Sequence, residues 1–270
     1  MGDLSTSAPG DADGTAAQEF GRWERGQHFA TYELLLGEYI ARTILDRAKP
    51  PSLLDVACGN GVLTRMLAPA FQRVVGIDIS ESAIEHARAN CPGAEFVVGR
   101  AEDYVADRPF TMITLVNLIE HVLDPVRLLG SLARSLEPGG EMFVCVPNAL
   151  AVNRRIARRM GSLRDEYELS PFDIEVAGHR RSYDMQLLER DVCASGLRVT
   201  GRGGVFYKML SQAQMNWLLE KGPWGEGGFG WGRVGEEGTK DWRRAFCDAC
   251  YEFGKEHAED CNIVYVVATR

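Results

Sequence analysis

The segment Leu53-Leu54-Asp55-Val56-Ala57-Cys58-Gly59-Asn60-Gly61 constrains the fold of this chain more than any other. An apolar run of strand type enters a glycine-rich turn, and a helical pattern follows at once. Gly59 and Gly61 permit positive φ and let the backbone approach a bound molecule where a Cβ would obstruct it. A turn of this kind joins a strand to the helix of a βαβ unit, and so points to a parallel sheet with helices packed on it. A dinucleotide fingerprint would read G-x-G-x-x-G; here Thr64 stands at the third glycine position. Asp55, near the mouth of the turn, would oppose a pyrophosphate and suits a ligand that carries an ammonium group. A purely structural strand-to-helix turn is the bland alternative.

The rest of the chain continues the rhythm. Apolar runs at 53–57, 73–78, 95–98, 112–116 and 141–146 are strand candidates, separated by helical patterns at 63–68, 82–90 and 124–136. Two more strand candidates follow at 197–206 and 263–268. Alternation of this kind predicts right-handed crossovers and an α/β, doubly wound, seven-stranded sheet covered on both faces. Residues 20–47 read as a helical cap, with Leu34, Leu35, Tyr39, Ile40 and Ile44 at near-helical spacing and Lys49-Pro50-Pro51 as its stop. The expected organisation is a disordered leader over 1–19 and one domain over 20–270. Within that domain, the charged insertion 148–184 is expected to form a substrate lid. The stretch 222–238 holds eight glycines beside Trp224, Phe229 and Trp231, and long loops of this kind are commonly functional or disordered.

Further signals sit at the ends of the predicted strands. Val74-Val75-Gly76-Ile77-Asp78-Ile79-Ser80 places an acid where it can accept both hydroxyls of a ribose, with Ile79 beside it to cover a purine face. Gly99-Arg100-Ala101-Glu102-Asp103 follows the third strand, and Asn117-Leu118-Ile119-Glu120-His121 follows the fourth. Glu137-Pro138-Gly139-Gly140 turns into the fifth. Taken in order, LLDVACGNG, VVGIDIS, GRAEDY, NLIEHVLDP and LEPGG resemble the five motifs of the class I S-adenosylmethionine-dependent methyltransferases. The resemblance covers residues 52–146. It implies a Rossmann-like sheet whose last strand runs antiparallel beside the fifth. It further implies S-adenosylmethionine as cofactor, held by Asp55, Gly59, Gly61, Asp78, Ile79, Ala101, Glu102 and Asn117. Two departures stand out: Arg100 where an acid is common, and Thr111 where an aspartate often opens the fourth strand. LIEHVLDP and the later GHRRSYD are similar, more loosely, to methyltransferases of ubiquinone, surface-sugar and antibiotic biosynthesis.

Methyl transfer from a sulfonium is an in-line displacement, in which positioning does much of the work. A hydroxyl acceptor must also lose a proton, so His121 and His179 are the catalytic candidates. Each has an ordinary alternative, a helix-start histidine for His121 and a loop histidine for His179. Trp23 and Tyr32 on the N-terminal side, with Arg180 and Tyr183 after the insertion, are the substrate-contact candidates. The two N-terminal aromatics are equally compatible with helix core. Some relatives carry E-x-x-E-H at 117–121 and bind a divalent ion there. Asn117 replaces the first glutamate and is a poorer hard-cation donor, so no metal is expected. Cys247-x-x-Cys250 with His257 and Cys261 lacks a second C-x-x-C, and a packing stripe explains it better than zinc. Arg154, Arg155, Arg158, Arg159 and Arg164 read first as a solvated helix face, with docking of a phosphate-bearing substrate as the alternative.

The net charge of −8 disfavours unspecific binding to nucleic acid, and no apolar run reaches membrane-spanning length. Seven cysteines, several within apolar runs, fit free thiols in a reducing cytoplasm. The expected reaction is transfer of a methyl group to an oxygen or nitrogen of a small metabolite, such as a sugar or an antibiotic intermediate. A homo-oligomer is compatible with the sequence. Two rivals are a methyltransferase of tRNA or protein, which needs a broad basic groove, and a non-catalytic cofactor-binding module, which needs no acceptor cavity.

Overall fold

The structure, a computed structural model, describes residues 30–222, 224 and 242–270. Seven strands form one sheet in the order β3-β2-β1-β4-β5-β7-β6. They are β1 (Ser52–Val56), β2 (Arg73–Asp78), β3 (Glu95–Val98), β4 (Phe110–Val116), β5 (Leu136–Pro147), β6 (Arg198–Val205) and β7 (Ile263–Thr269). The first five pair in parallel, while β7 inserts antiparallel between β5 and β6. The expected Rossmann-like architecture and the antiparallel placement of the last strand are both observed. β6 therefore runs in the same direction as β5, and its carboxyl end reaches the same edge of the sheet.

Period-two alternation explains how the sheet is covered on both faces. On β1, Leu54 and Val56 join one core, together with Val75, Ile113, Met142 and Val144. Helices α4 (Pro125–Ala133) and α6 (Met185–Ala194) close that core with Leu128, Leu129, Leu132, Leu188 and Val192. Leu53, Met112, Phe143, Cys145 and Val267 point the other way, into a second core. Helix α1 (Ala30–Leu45) covers it with Tyr32, Tyr39, Ile40 and Ile44. Helices α7 (Gln212–Lys221) and α8 (Trp242–Glu256) complete the cover with Met215, Leu219, Cys247 and Tyr251. Full burial of each such side chain contributes about 1.5–3 kcal/mol.

Helices α2 (Val62–Leu67) and α3 (Glu81–Asn90) follow β1 and β2. Helix starts are set by side-chain caps. Ser80 accepts from the Ala83 amide at the start of α3, Asp124 from Arg127 before α4, and Asp184 from Leu187 before α6. Residues 148–184 are ordered into helix α5 (Val152–Arg159) and a π-helical turn, Phe172–Ala177. α5 carries four of the five arginines. Arg154 pairs with Asp173, Arg155 with Asp260 and Arg158 with Glu166, and Arg164 beyond it pairs with Glu168. Acids from the protein itself thus satisfy most of this charge, and Arg154, mostly buried, departs from the solvated helix face expected. Among the described residues, no helix is long and apolar enough to cross a membrane. The leader 1–19, Trp23 and most of the glycine-rich stretch lie outside the described residues.

Candidate active site

Three residues other than glycine have positive φ among the described residues: Ala57 at 57°, Asn117 at 50° and Phe206 at 67°. Each directly follows the carboxyl end of a strand, β1, β4 and β6 respectively. A left-handed conformation costs an L-residue about 1–2 kcal/mol, and such outliers gather where a site fixes the backbone. Ala57 and Asn117 line one cavity of about 840 Å³, which Lys208, two residues beyond Phe206, also lines. That volume lies in the upper range for small-molecule sites, and its location is where open α/β sheets bind ligands.

One end of the cavity is built by the β1 and β2 turns. Gly59 has φ +54° and an added Cβ there would meet nothing within 4 Å, so the turn leaves open room for a ligand. Gly61 differs: at φ +74° its missing Cβ would stand 2.9 Å from the Cα and Cβ of Ala87. It is glycine so that α3 can pack closely. Asp78 lines the cavity and accepts 2.9 Å hydrogen bonds from the amides of Gly59 and Ser80, one on each carboxylate oxygen. A carboxylate has about four acceptor sites, so each oxygen retains capacity for a hydroxyl. Burial raises the Asp78 pKa, while these backbone donors oppose the shift. Ile79, Ala101, Glu102 and Asn117 also line the cavity.

Asp55 corrects an expectation. It is buried, is not among the cavity-lining residues, and accepts from the Thr64 hydroxyl at 2.6 Å and the Thr114 hydroxyl at 2.9 Å. Burial pushes its pKa up to about 6. Its carboxylate ties α2 and β4 to the turn instead of facing a ligand ammonium, and Thr64 is the residue that satisfies it. Tyr32 and Tyr183 are corrections too. Tyr32 is fully buried in the second core, edge-on to Phe206. Tyr183 is buried in the first core and donates its hydroxyl to Asp191 at 2.9 Å. Neither lines the cavity, because the aromatic body of each is consumed by packing. Arg180 does line it, and its amide donates to the Glu120 carbonyl at 2.9 Å.

The structure brings His121 and His179 together from segments 58 residues apart in number, with ring centroids 5.0 Å apart and edge-on. The His121 Nδ1 lies 3.3 Å from the Gly178 carbonyl. When Nδ1 donates there, Nε2 is left as the basic atom. Burial, then the neighbouring His179, lowers the His121 pKa to about 4, and burial also lowers that of His179. Both rings are therefore neutral at neutral pH. His179 Nδ1 stands 3.7 Å from Asp173 Oδ1.

Glu120 completes this end. It is 1% exposed, neither carboxylate oxygen has a hydrogen-bond partner among the described residues, Oε1 stands 3.8 Å from the His121 Nε2, and burial pushes its pKa up to about 8. One donor atom each from Glu120, His121 and His179 falls within a 4.8 Å cluster, and the Asn117 side-chain oxygen is also buried without a partner. Two neutral imidazoles and a carboxylate are a donor set that suits a divalent transition-metal or zinc ion. The expectation of no metal rested on Asn117, and this cluster forms without it.

The sequence reading weighed Arg154 as a phosphate-docking arginine but did not single out Glu33 on α1, Asp173 from the insertion, or Lys208, Ser211 and Gln212 beyond β6, all of which line the cavity with it. Only the strand that precedes Lys208 gave a signal. A single charged residue within a tail of unassigned topology does not otherwise announce itself.

A family described as "methyltransferase domain" matches residues 27–201. Among curated proteins, the ubiquinone biosynthesis O-methyltransferase of Thiobacillus denitrificans is 35% identical over 111 residues, covering 39% of this chain and 48% of that protein. The protein of the same name from Rhizobium etli is 29% identical over 175 residues, covering 63% of this chain and 67% of that one. The chain thus matches about half of the length of the first relative and two thirds of the second. Among solved structures, a Thermotoga maritima S-adenosylmethionine-dependent methyltransferase, titled a possible histamine N-methyltransferase, superposes with a TM-score of 0.59 at 15% identity, covering 93% and 99% of the two chains. Magnesium protoporphyrin IX methyltransferase from Synechocystis, with bound S-adenosylhomocysteine, gives 0.54 at 15% identity, covering 74% and 93%. Similarity at that identity concerns the fold.

Proposed function

Because the chain belongs to the methyltransferase-domain family, with the class I S-adenosylmethionine-dependent architecture, we propose that it transfers a methyl group from S-adenosylmethionine to a hydroxyl oxygen of a small molecule. The observation that carries this reading is the single cavity in which Gly59 and Asp78 line one end and the paired His121 and His179 another. The open space at Gly59 and the unpartnered Asn117 oxygen fit the cofactor's polar, close-packed body. The sugar and antibiotic classes expected from the sequence have no specific support in the relatives. Those relatives are named for O-methylation in ubiquinone biosynthesis, which favours oxygen over nitrogen as the acceptor atom.

S-adenosylmethionine, when bound, supplies an electrophilic methyl group on its sulfonium. Asp78 would accept the ribose hydroxyls, and Gly59 would let the backbone close on the ligand. His121, neutral at working pH, would take the acceptor's proton on Nε2, with the Gly178 carbonyl holding the ring in the required tautomer. His179, backed by Asp173, would orient the hydroxyl. The walls around Leu118, Val122 and Leu128 exclude water from the transfer path.

A second reading is favoured by one observation, the two unpartnered oxygens of fully buried Glu120. Here Glu120, His121 and His179 hold a divalent ion, whose chemistry would be to lower the pKa of a hydroxyl beside it. Calorimetry with S-adenosylhomocysteine and NAD, followed by labelled-methyl transfer to matched hydroxyl and amine acceptors with and without EDTA, tests both. NAD binding without S-adenosylhomocysteine binding would overturn the cofactor assignment. Transfer to amines alone would overturn the oxygen assignment.

A further inference from the structure

Lys208 is 4% exposed and lines the cavity three residues beyond the carboxyl end of β6. The positive φ of Phe206 turns the chain there and directs it across the strand edge. Lysine is almost never fully buried unless paired, and an ammonium can make three hydrogen bonds. Among the described residues, Lys208 makes one, a long 3.4 Å bond from Nζ to the Gln212 Oε1. Its other close contact is the face of the Tyr32 ring, 4.8 Å from Nζ. Gln212 is itself held by Glu33, to which its amide donates at 2.6 Å. No ion pair forms between Lys208 and Glu33 within 4 Å, because the glutamine stands between them.

The charges around Lys208 are Glu33 on α1, Arg154 on α5 and Asp173 in the π-helical turn. Arg154 and Asp173 satisfy each other at 3.1 Å. Burial pushes the Glu33 carboxyl up to about 7 and brings Lys208 down to about 8. At neutral pH the ammonium is thus mostly charged, while its nearest acid is partly neutral. A buried cation without a counter-charge is costly. The cavity therefore carries an unfilled demand for an anion at this place. Ser211 lies on the same cavity wall, and its hydroxyl, which accepts from the Gln214 amide, keeps its own proton to donate.

We propose that Lys208 is a specificity residue that receives an acidic group, a carboxylate or a phosphate, carried by the acceptor molecule. The proposal rests on the acceptor site of the function above and narrows it to anionic hydroxyl-bearing substrates. Lys208 acts by binding and orienting, so its loss should raise KM for acidic acceptors far more than it lowers kcat.

The test uses the full chain saturated with S-adenosylhomocysteine, titrated by calorimetry with 4-hydroxybenzoate, 4-hydroxybenzamide and 4-hydroxyphenyl phosphate. The wild type should bind one of the two anions at least about 10-fold more tightly than the amide, as expected for a charged hydrogen bond. Which anion binds tells carboxylate from phosphate. Lys208→Met should lose that preference while keeping its affinity for S-adenosylhomocysteine, and Lys208→Arg should retain part of it. Equal binding of anions and amide by the wild type overturns the proposal, whether or not the variants fold. So does an anion preference that survives in Lys208→Met. Failure of the transferase reading looks different: anion selectivity would persist while no acceptor is methylated.

Discussion

Glu120→Gln should change how stability depends on pH, and the direction follows from burial. The unfolded carboxyl titrates near 4.3, whereas in the folded protein burial pushes Glu120 up to about 8. Between these values the folded chain holds a proton that the unfolded chain has released. The stability this group contributes is complete below the unfolded pKa and is lost as pH rises through the folded one. The slope reaches about 1.4 kcal/mol per pH unit, so the loss across the window is on the order of 5 kcal/mol. Glutamine is nearly isosteric and has no proton to release. With a chelator present, the variant should have a flatter profile from pH 5 to 9 and should melt several degrees above wild type at pH 8. Denaturant titrations at each pH provide the free energies. Parallel profiles for the two proteins would mean that Glu120 does not hold a proton in the fold. Repeating the series with zinc or magnesium separates the two readings of the site, since an ion held by Glu120 should stabilise wild type and leave Glu120→Gln unchanged.

Other outcomes follow from the same geometry. Asp78→Ala should weaken S-adenosylhomocysteine binding by roughly 10- to 100-fold by calorimetry, with Asp78→Asn milder because one carbonyl acceptor remains; unchanged affinity in a folded protein would place the ribose elsewhere. Gly59→Ala and Gly61→Ala should part company. Both carry the left-handed strain of about 1–2 kcal/mol, but the first should in addition reduce cofactor affinity, because its methyl enters open cavity. The second should mainly lower the melting temperature, by about 1–3 kcal/mol of stability, because its methyl meets α3; the reverse pattern would refute the assignment. His121→Ala should reduce kcat for hydroxyl acceptors at least about 100-fold with cofactor affinity kept; a kcat within a factor of a few would remove its role in proton transfer.

The cofactor end of the site was legible because its chemistry is local. A strand, a turn with two glycines and the following helix lie in one run of sequence; Asp78 ends, and Ile79, Ala101, Glu102 and Asn117 follow, strands that the alternating pattern had already located. The antiparallel placement of β7 beside β5 came from the resemblance rather than from periodicity. The acceptor end was not legible in the same way. Lys208, Glu33 and Asp173 come from three elements that only the finished sheet brings together, and none sits in a repeating pattern. Asp55, Tyr32 and Tyr183 were misplaced for a common reason. The residue type admitted a ligand contact, while the partners that occupy each side chain (Thr64 and Thr114, Phe206, Asp191) were distant in sequence or unremarkable in type.

Strand direction ties these two halves of the site together. β1 and β4 run parallel in the central sheet, and β6 runs with them because β7 reverses twice, against β5 and against β6. Each of the three strands is followed at once by a left-handed residue that is not glycine: Ala57, Asn117 and Phe206. Packing on both faces of the sheet holds these conformations, since Val56 and Val205 beside Ala57 and Phe206, and Leu115 two residues before Asn117, are fully buried. Ala57 precedes the glycine turn at the cofactor end, Asn117 precedes Glu120 and His121, and Phe206 precedes Lys208. The first two mark places where the backbone leaves the sheet to line the cavity. The third repeats the device at a strand that has no part in the five cofactor motifs, which is a structural reason to look for a ligand group there as well.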